Sequence, residues 1–164
     1  MSKIRSVEVV RDGAMHFAAT TGTGRSLAYD DVTTGGHSPV ESVLAALGAC
    51  TGMDVASIAL KKRQNVSRYA IHLRGEQRTE YPQVFTRIDV LHEVEGPATG
   101  ISEDAIRRCI ELSAFNYCPV NAMLSAGATE IHHRYLVRGT GPGAFEAGGE
   151  AAVTGPYRRP DAVS

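Results

Sequence analysis

Two cysteines occupy positions where the backbone is expected to act differently on their thiols. Cys50 lies midway along a nearly all-apolar segment, Val43–Leu60, whereas Cys118 is followed directly by Pro119. Because proline favours the first position of a helix, Cys118 is predicted at a helix N-cap, where unpaired N–H groups and the helix dipole favour the thiolate. A buried thiol on one helix and a capping thiol on another could carry out two-step redox chemistry. The alternative for Cys118 is a small buried hydrophobe.

The surroundings of Cys50 are less favourable to reactivity. It lies about twelve residues into its helix, beyond the reach of the dipole, and Asp54 follows four residues later. A carboxylate at that spacing raises the pKa of a thiol. A reactive Cys50 therefore requires a nearby cation, such as an arginine that also neutralises Asp54. Without one, Cys50 is a packed core cysteine.

Glu41 is a candidate carboxylate for orienting Cys50. Nine residues at 100° each place it on the opposite face of a straight helix, roughly 13 Å away along the axis. Glu41 therefore acts across a dimer interface or only caps the helix, and the spacing favours capping.

The remaining reactive residue types form no recognisable site. Cys109 is predicted to be structural, and the six histidines are scattered. No His/Cys spacing resembles a zinc site, and no Ser-His-Asp or phosphate-loop pattern is present. No metal and no cofactor are predicted.

Composition indicates a single cytoplasmic domain. The chain has 164 residues, with 17 basic against 18 acidic side chains, which indicates no nucleic-acid partner and no membrane-binding patch. Three cysteines form no disulfide framework, and the N-terminal residues resemble no secretory signal. The apolar segment contains Thr51, Asp54 and Ser57, and is better explained as a buried core helix than as a bilayer span of roughly 20 residues.

The order of elements predicts an α+β fold. Strands with a hairpin turn at residues 21–24 precede a long helix that begins at Ser38-Pro39 and ends near Lys61. Two strands follow, over 69–75 and 84–94, then a helix from Ser102 to about Tyr117, a short helix after Pro119 and a strand over 130–138. Residues 139–164 hold six glycines and three prolines and are predicted to be a tail outside a domain of residues 1–138.

The long helix also predicts an oligomer. It is apolar on nearly all faces, and a few short antiparallel strands cannot cover it. An intertwined second copy would, so a homodimer is expected.

Three segments resemble the OsmC/Ohr family. The runs at 38–55 and 111–120 are similar to its two helix signatures, and 82–88 is similar to one of its strands. The resemblance covers roughly residues 1–138. It implies an intertwined homodimer in which antiparallel sheets surround a long central buried helix.

The resemblance also implies an activity: a cytoplasmic, oxidative-stress peroxidase that reduces organic hydroperoxides. Carried over by position, Cys50 is the peroxidatic thiol and Cys118 the resolving thiol. Cys50 would become a sulfenic acid and condense with Cys118 to a disulfide, which a dihydrolipoyl-type dithiol would reduce.

Two positions depart from the family pattern. Its catalytic glutamate directly follows the proline, where this chain has Val40, and the acid here is Glu41. Arg11-Asp12-Gly13 resembles the motif of the activating arginine, and Arg25 or Arg5 could serve instead. The alternative function is a non-catalytic dimeric module that binds small molecules, favoured by Val40 and Asp54. A thioester or other acyl hydrolase lacks an evident histidine base.

Overall fold

The computed structural model describes residues 3–30 and 36–156 of the chain. The chain divides into two compact units, residues 1–43 and 44–164. The boundary falls inside the long helix, after its first turn. The second unit extends beyond residue 138, where the sequence analysis placed the end of the domain.

The N-terminal unit is built on a three-stranded antiparallel sheet. Its strands, in spatial order, are β1 (Val7–Arg11), β2 (Phe17–Thr21) and β3 (Ser26–Tyr29). The predicted hairpin at 21–24 is confirmed, because Thr21 N–H donates to the Arg25 carbonyl at 2.9 Å. Gly24 has φ +78°, a conformation that glycine adopts without steric cost.

The long helix α1 spans Pro39–Lys61, with Glu41 in its first turn, so its predicted ends are confirmed. Two glycines let it approach strand β4 (Arg68–Gln77) closely. A Cβ at Gly48 would lie 2.7 Å from Leu73 Cδ1, and one at Gly52 would lie 2.8 Å from Ile71 Cδ1. These contacts fix the face of α1 that carries Leu47 and Thr51, both fully buried.

The other faces of α1 remain exposed in the single chain. Met53 and Leu60 are 70% and 78% exposed. Of the helices in the described residues, α1 alone is long and apolar enough to cross a bilayer, a property that core helices of soluble proteins share. The predicted burial of α1 on all sides is therefore not achieved by one chain.

The C-terminal unit contains a four-stranded sheet in the order β4, β5 (Phe85–Pro97), β6 (Glu130–Thr140), β7 (Phe145–Thr154). This confirms the α+β class. One pair differs from the expected antiparallel arrangement, since β5 and β6 run parallel, with Val90 opposite His133. The reason is the helical connection between these strands, which returns the chain to the end of the sheet where β5 begins before β6 starts.

Strand β7 corrects the prediction of a C-terminal tail. Residues 145–154 pair antiparallel with β6, and Phe145 packs against the core. Composition predicted a tail because glycine lacks apolar bulk, but the backbone hydrogen bonds of a sheet do not require large side chains. The prediction is wrong for the part of 139–164 that forms β6 and β7, while residues 157–164 lie outside the described residues.

The connection between β5 and β6 contains three helical segments. Helix α2 spans Glu103–Leu112, and its predicted cap is confirmed because Ser102 Oγ accepts from Ala105 N–H. A π-helical turn over Ser113–Tyr117 and helix α3 (Pro119–Ser125) follow. The single helix predicted from Ser102 to Tyr117 thus changes its winding at Ser113, because the Cys118 N–H bonds to the carbonyl five residues back.

Two apolar clusters form the core of the C-terminal unit. One joins the C-terminal half of α1 to α2 and includes Val55, Ile106 and Cys109. The other includes Leu47, Ile88 and Cys118, with Cys50 packed against it. Cys109 is fully buried in the first cluster, as its predicted structural role requires.

Candidate active site

The structure brings together the two cysteines that the sequence singled out. Cys50 lies on α1 and is half-buried, whereas Cys118 is 2% exposed at the end of the π-helical turn. Their sulfur atoms and a carboxylate oxygen of Asp54 all lie within 4.8 Å of one another. Residues 68 positions apart in the chain therefore share one site, because the connection between β5 and β6 folds back onto α1.

The first turn of α3 contacts both sulfurs. Cys118 is the N-cap of α3, as predicted, and its Sγ accepts a hydrogen bond from Asn121 N–H at 3.3 Å. The backbone N–H of Val120 bonds to the Cys50 thiol. Peptide N–H groups that point at sulfur favour the thiolate over the thiol.

Other influences on Cys50 oppose ionisation. Burial raises the pKa of the Cys50 thiol to about 11, with further increases from its bond to Cys118 and from the Asp54 charge, while the Val120 N–H lowers it. Asp54 therefore raises the pKa of Cys50, as the sequence analysis expected. The largest influences from the described residues include no cation.

Asp54 is held in place by a neighbouring hydroxyl. Ser113 Oγ donates to Asp54 Oδ2 at 3.1 Å and lies 3.5 Å from Thr51 Oγ1. Ser113 begins the π-helical turn and is fully buried. The π-helical turn therefore orients the Asp54 carboxylate through Ser113 and also places Cys118, which follows it, beside Cys50.

Two thiol sulfurs and a carboxylate oxygen form a donor set that could hold a thiophilic divalent ion. No other group of three or more such side chains is close enough to do so among the described residues. The absence of a metal predicted from sequence spacing stays a prediction, since spacing alone does not reveal ligands that are far apart in the chain.

The predicted arginine and glutamate belong to the N-terminal unit. Arg11 ends β1, and its Nε donates to the carbonyls of Gly13 and Ala14 at 2.8 and 3.1 Å. Arg25 and Arg5 lie in the same unit, and Glu41 lies in the first turn of α1. Their roles at the thiols stay predictions.

Two histidines that the sequence analysis left unassigned lie in the core close to this site. His92 and His133 are fully buried on neighbouring strands, with ring centroids 5.4 Å apart. His133 bonds to Asn121, whose backbone contacts Cys118. Their positions on the apolar faces of two predicted strands were the signal that could have identified them.

Comparison with known proteins places the chain in a family. A model of the family described as OsmC-like protein matches residues 32–134, which is more than half of the chain. The chain belongs to the OsmC-like protein family. The resemblance to OsmC/Ohr proteins noted in the sequence is therefore confirmed.

Individual OsmC-like relatives agree with this assignment. Protein YhfA of Escherichia coli K12 is 41% identical over 100 residues, which is 61% of this chain and 72% of YhfA. A hypothetical protein from Aquifex aeolicus matches with a TM-score of 0.75 and 27% identity, covering 85% of this chain and all of the other. The organic hydroperoxide resistance protein OhrB of Bacillus subtilis shares the fold, with a TM-score of 0.55, 16% identity and coverage of 81% and 98%.

Proposed function

We propose that this OsmC-like protein is a cysteine-based peroxidase that reduces organic hydroperoxides. The observation that carries the proposal is the approach of the Cys50 and Cys118 sulfurs to within 4.8 Å of each other. Membership of a family that includes organic hydroperoxide resistance proteins supports the choice of substrate class. A cytoplasmic location, where thiols are kept reduced, suits this chemistry.

The proposed reaction has three balanced steps. The Cys50 thiolate attacks the terminal oxygen of ROOH, the O–O bond breaks, and protonation of the leaving alkoxide gives ROH and a sulfenic acid. Attack by the Cys118 thiolate on that sulfur releases water, with the proton that Cys118 lost, and forms the disulfide. A dithiol of the dihydrolipoyl type then reduces the disulfide by exchange and becomes a cyclic disulfide itself.

A homodimer is part of the proposal. The exposed apolar residues of α1 would leave a large hydrophobic surface in water in a single chain. The N-terminal sheet has a similar surface, because Val7 and Val9 of β1 are both 58% exposed. Pairing of two copies would bury these surfaces.

The proposal also requires a cation at Cys50. With a pKa of about 11, only roughly one Cys50 thiol in ten thousand would be ionised at pH 7. The positive charge of an arginine close to Cys50 would lower the pKa of its thiol. Arg11 is our first candidate, with Arg25 and Arg5 as alternatives. Glu41 would orient that guanidinium.

The test combines mass spectrometry with peroxide consumption. One equivalent of cumene hydroperoxide should convert the reduced protein to a form two hydrogens lighter, with Cys50 and Cys118 joined. Cys50→Ser should abolish turnover, and Cys118→Ser should accumulate a dimedone-reactive sulfenic acid. Cys109→Ser is the matched control and should keep full activity. Turnover by Cys50→Ser at the unmodified rate would reject the mechanism.

A second candidate function is a non-catalytic dimeric module that binds a small molecule. Two observations favour it: the raised pKa of Cys50, and an apolar cavity of about 300 Å³ lined by α1, Tyr69, Val94 and Ile106. The pH dependence of Cys50 alkylation by iodoacetamide in the Cys109→Ser/Cys118→Ser protein distinguishes the two. A midpoint above about 8.5, the ordinary value for a free thiol, supports the binding module, whereas a midpoint below it supports the peroxidase.

A further inference from the structure

A continuous series of hydrogen bonds crosses the core of the C-terminal unit. The Tyr69 hydroxyl bonds to His92 Nδ1 at 2.7 Å, and His92 Nε2 bonds to His133 Nδ1 at 3.1 Å. His133 Nε2 then bonds to Asn121 Oδ1 at 2.9 Å. We call these four residues the core polar chain. It joins three strands and helix α3; His92, His133 and Asn121 are fully buried, and Tyr69 is partly buried.

The direction of every bond in the core polar chain is fixed from one end. Asn121 Nδ2 donates to the Ala114 carbonyl at 2.9 Å, so Oδ1 faces His133 and must accept. His133 therefore donates from Nε2 and accepts at Nδ1, which requires His92 to donate from Nε2 and accept at Nδ1. The Tyr69 hydroxyl completes the series as a donor.

Both imidazoles must be neutral for this pattern, and their surroundings keep them so. Burial lowers the pKa of His92 to about 3 and that of His133 to about 4, with smaller contributions from His133 and His132 respectively. A neutral imidazole has one donor and one acceptor, which is the number that each ring uses. The core polar chain is fully satisfied at neutral pH.

Asn121 connects this chain to the thiols on both sides of Cys118. Its side chain bonds to Ala114 in the π-helical turn before Cys118, and its backbone N–H bonds to the Cys118 sulfur. A further bond joins Asn121 Nδ2 to Thr154 Oγ1 at 3.1 Å. The residue next to it, Val120, supplies the N–H that contacts Cys50.

We propose that Asn121 is a positioning residue for Cys118, and that His92 and His133 act through it to hold the Cys118 sulfur where it closes the disulfide with Cys50. The closure is the second step of the proposed function and rests on it: a sulfenic acid and a thiol give a disulfide and water. The core polar chain raises the effective concentration of Cys118 at Cys50. Cys118 forms no bond in the first step, the reaction of Cys50 with peroxide, so the positioning role is measured on the second step.

The test uses variants of His133 in the full-length protein. His133→Leu removes both hydrogen bonds of the ring, whereas His133→Gln keeps one donor and one acceptor and should rescue. Tyr135→Phe is the matched control, because it removes the hydrogen bond to Glu103 from an inward-facing position on the same strand. Thr154→Val removes the hydrogen bond between Thr154 and Asn121 with almost no change in side-chain shape. It replaces His133→Leu as the test variant if His133→Leu does not fold.

The first readout needs no peroxide. Equilibration of the Cys50–Cys118 pair with reduced and oxidised glutathione measures the effective concentration of the two thiols. We expect His133→Leu to lower it at least tenfold and Thr154→Val about threefold, since a misplaced sulfur gives up much of the advantage of fixed geometry. His133→Gln and Tyr135→Phe should stay within twofold of the parent.

The second readout follows Cys50 after one equivalent of cumene hydroperoxide. The sulfenic acid formed in His133→Leu should persist at least tenfold longer than in the parent before the disulfide closes. Parent-like values of both readouts in folded His133→Leu, or equal losses in His133→Leu and Tyr135→Phe, would overturn the proposal. If His133→Leu does not fold, an unchanged Thr154→Val overturns it. A glutathione equilibrium that shifts as expected in a protein inert to peroxide would uphold the positioning role and reject the peroxidase.

Discussion

Acidification should destabilise the C-terminal unit, because His92 and His133 are buried as neutral rings. Their folded-state pKa values, about 3 and about 4, lie below the ordinary 6.5. Between these values and pH 6.5 the unfolded chain binds protons that the folded chain does not, so the free energy of unfolding falls as the pH decreases. The free energy of unfolding is therefore highest above pH 6.5, where both histidines are neutral in the folded and the unfolded chain, and it falls progressively below that pH.

The magnitude follows from the proton-binding difference. At pH 5 an unfolded histidine is almost fully protonated, while His92 and His133 stay neutral in the fold. Each therefore lowers the free energy of unfolding by about 2 kcal/mol between pH 7 and pH 5, or about 4 kcal/mol together. Both rings are fully buried, so solvent screening does not reduce this figure.

Urea unfolding followed by far-UV circular dichroism, at pH 7 and pH 5 and at one fixed protein concentration, measures this loss. The comparison protein is His92→Gln/His133→Gln, which cannot take up these protons but shares every other titrating group. The parent should lose about 4 kcal/mol more than the double variant over this interval. Equal losses would show that the two rings are not buried as neutral groups and would refute the reasoning.

Three further outcomes are expected. Gly48→Ala should change the free energy of unfolding by less than about 1 kcal/mol in urea titrations, because its Cβ would meet only the flexible end of Leu73, and the gain in helix propensity offsets the displacement of that side chain; a loss of more than about 2 kcal/mol would show that Leu73 cannot move aside. Asp54→Asn should lower the pKa of Cys50 and raise its alkylation rate at pH 8 about twofold or more, whereas an unchanged rate would remove Asp54 from the site. Truncation before β7 should expose the β6 edge and cause aggregation or a lower Tm by differential scanning fluorimetry, and a truncated protein with unchanged Tm would contradict the strand assignment.

Local sequence signals predicted the features that depend on a few neighbouring residues. Pro119 and Ser102 marked helix starts that the structure confirms. The residue types suggested Cys50 and Cys118 as a redox pair, but their separate roles came from the family resemblance, and the 67 intervening residues carry no local signal of the contact. The predicted cation at Cys50 is absent from the largest influences on that thiol within the described part of the chain.

Long-range features could not be predicted from the sequence. The contact between His92 and His133 depends on the parallel register of β5 and β6, which is set by the helical connection between them. Strand β7 was missed because its stability comes from pairing with β6 rather than from its own composition. Composition and periodicity describe a single segment of the chain, whereas the His92–His133 contact and strand β7 each depend on the pairing of two strands.

The π-helical turn has a consequence for the neighbouring asparagine. A π-turn closes its hydrogen bond five residues back instead of four, so it holds one residue more than an α-helical turn. The Cys118 N–H therefore reaches the Ser113 carbonyl, and the Ala114 carbonyl, which an α-helix would use for this bond, accepts from Asn121 Nδ2 instead. The change of winding thus supplies the backbone acceptor that ties the Asn121 amide to the segment before Cys118.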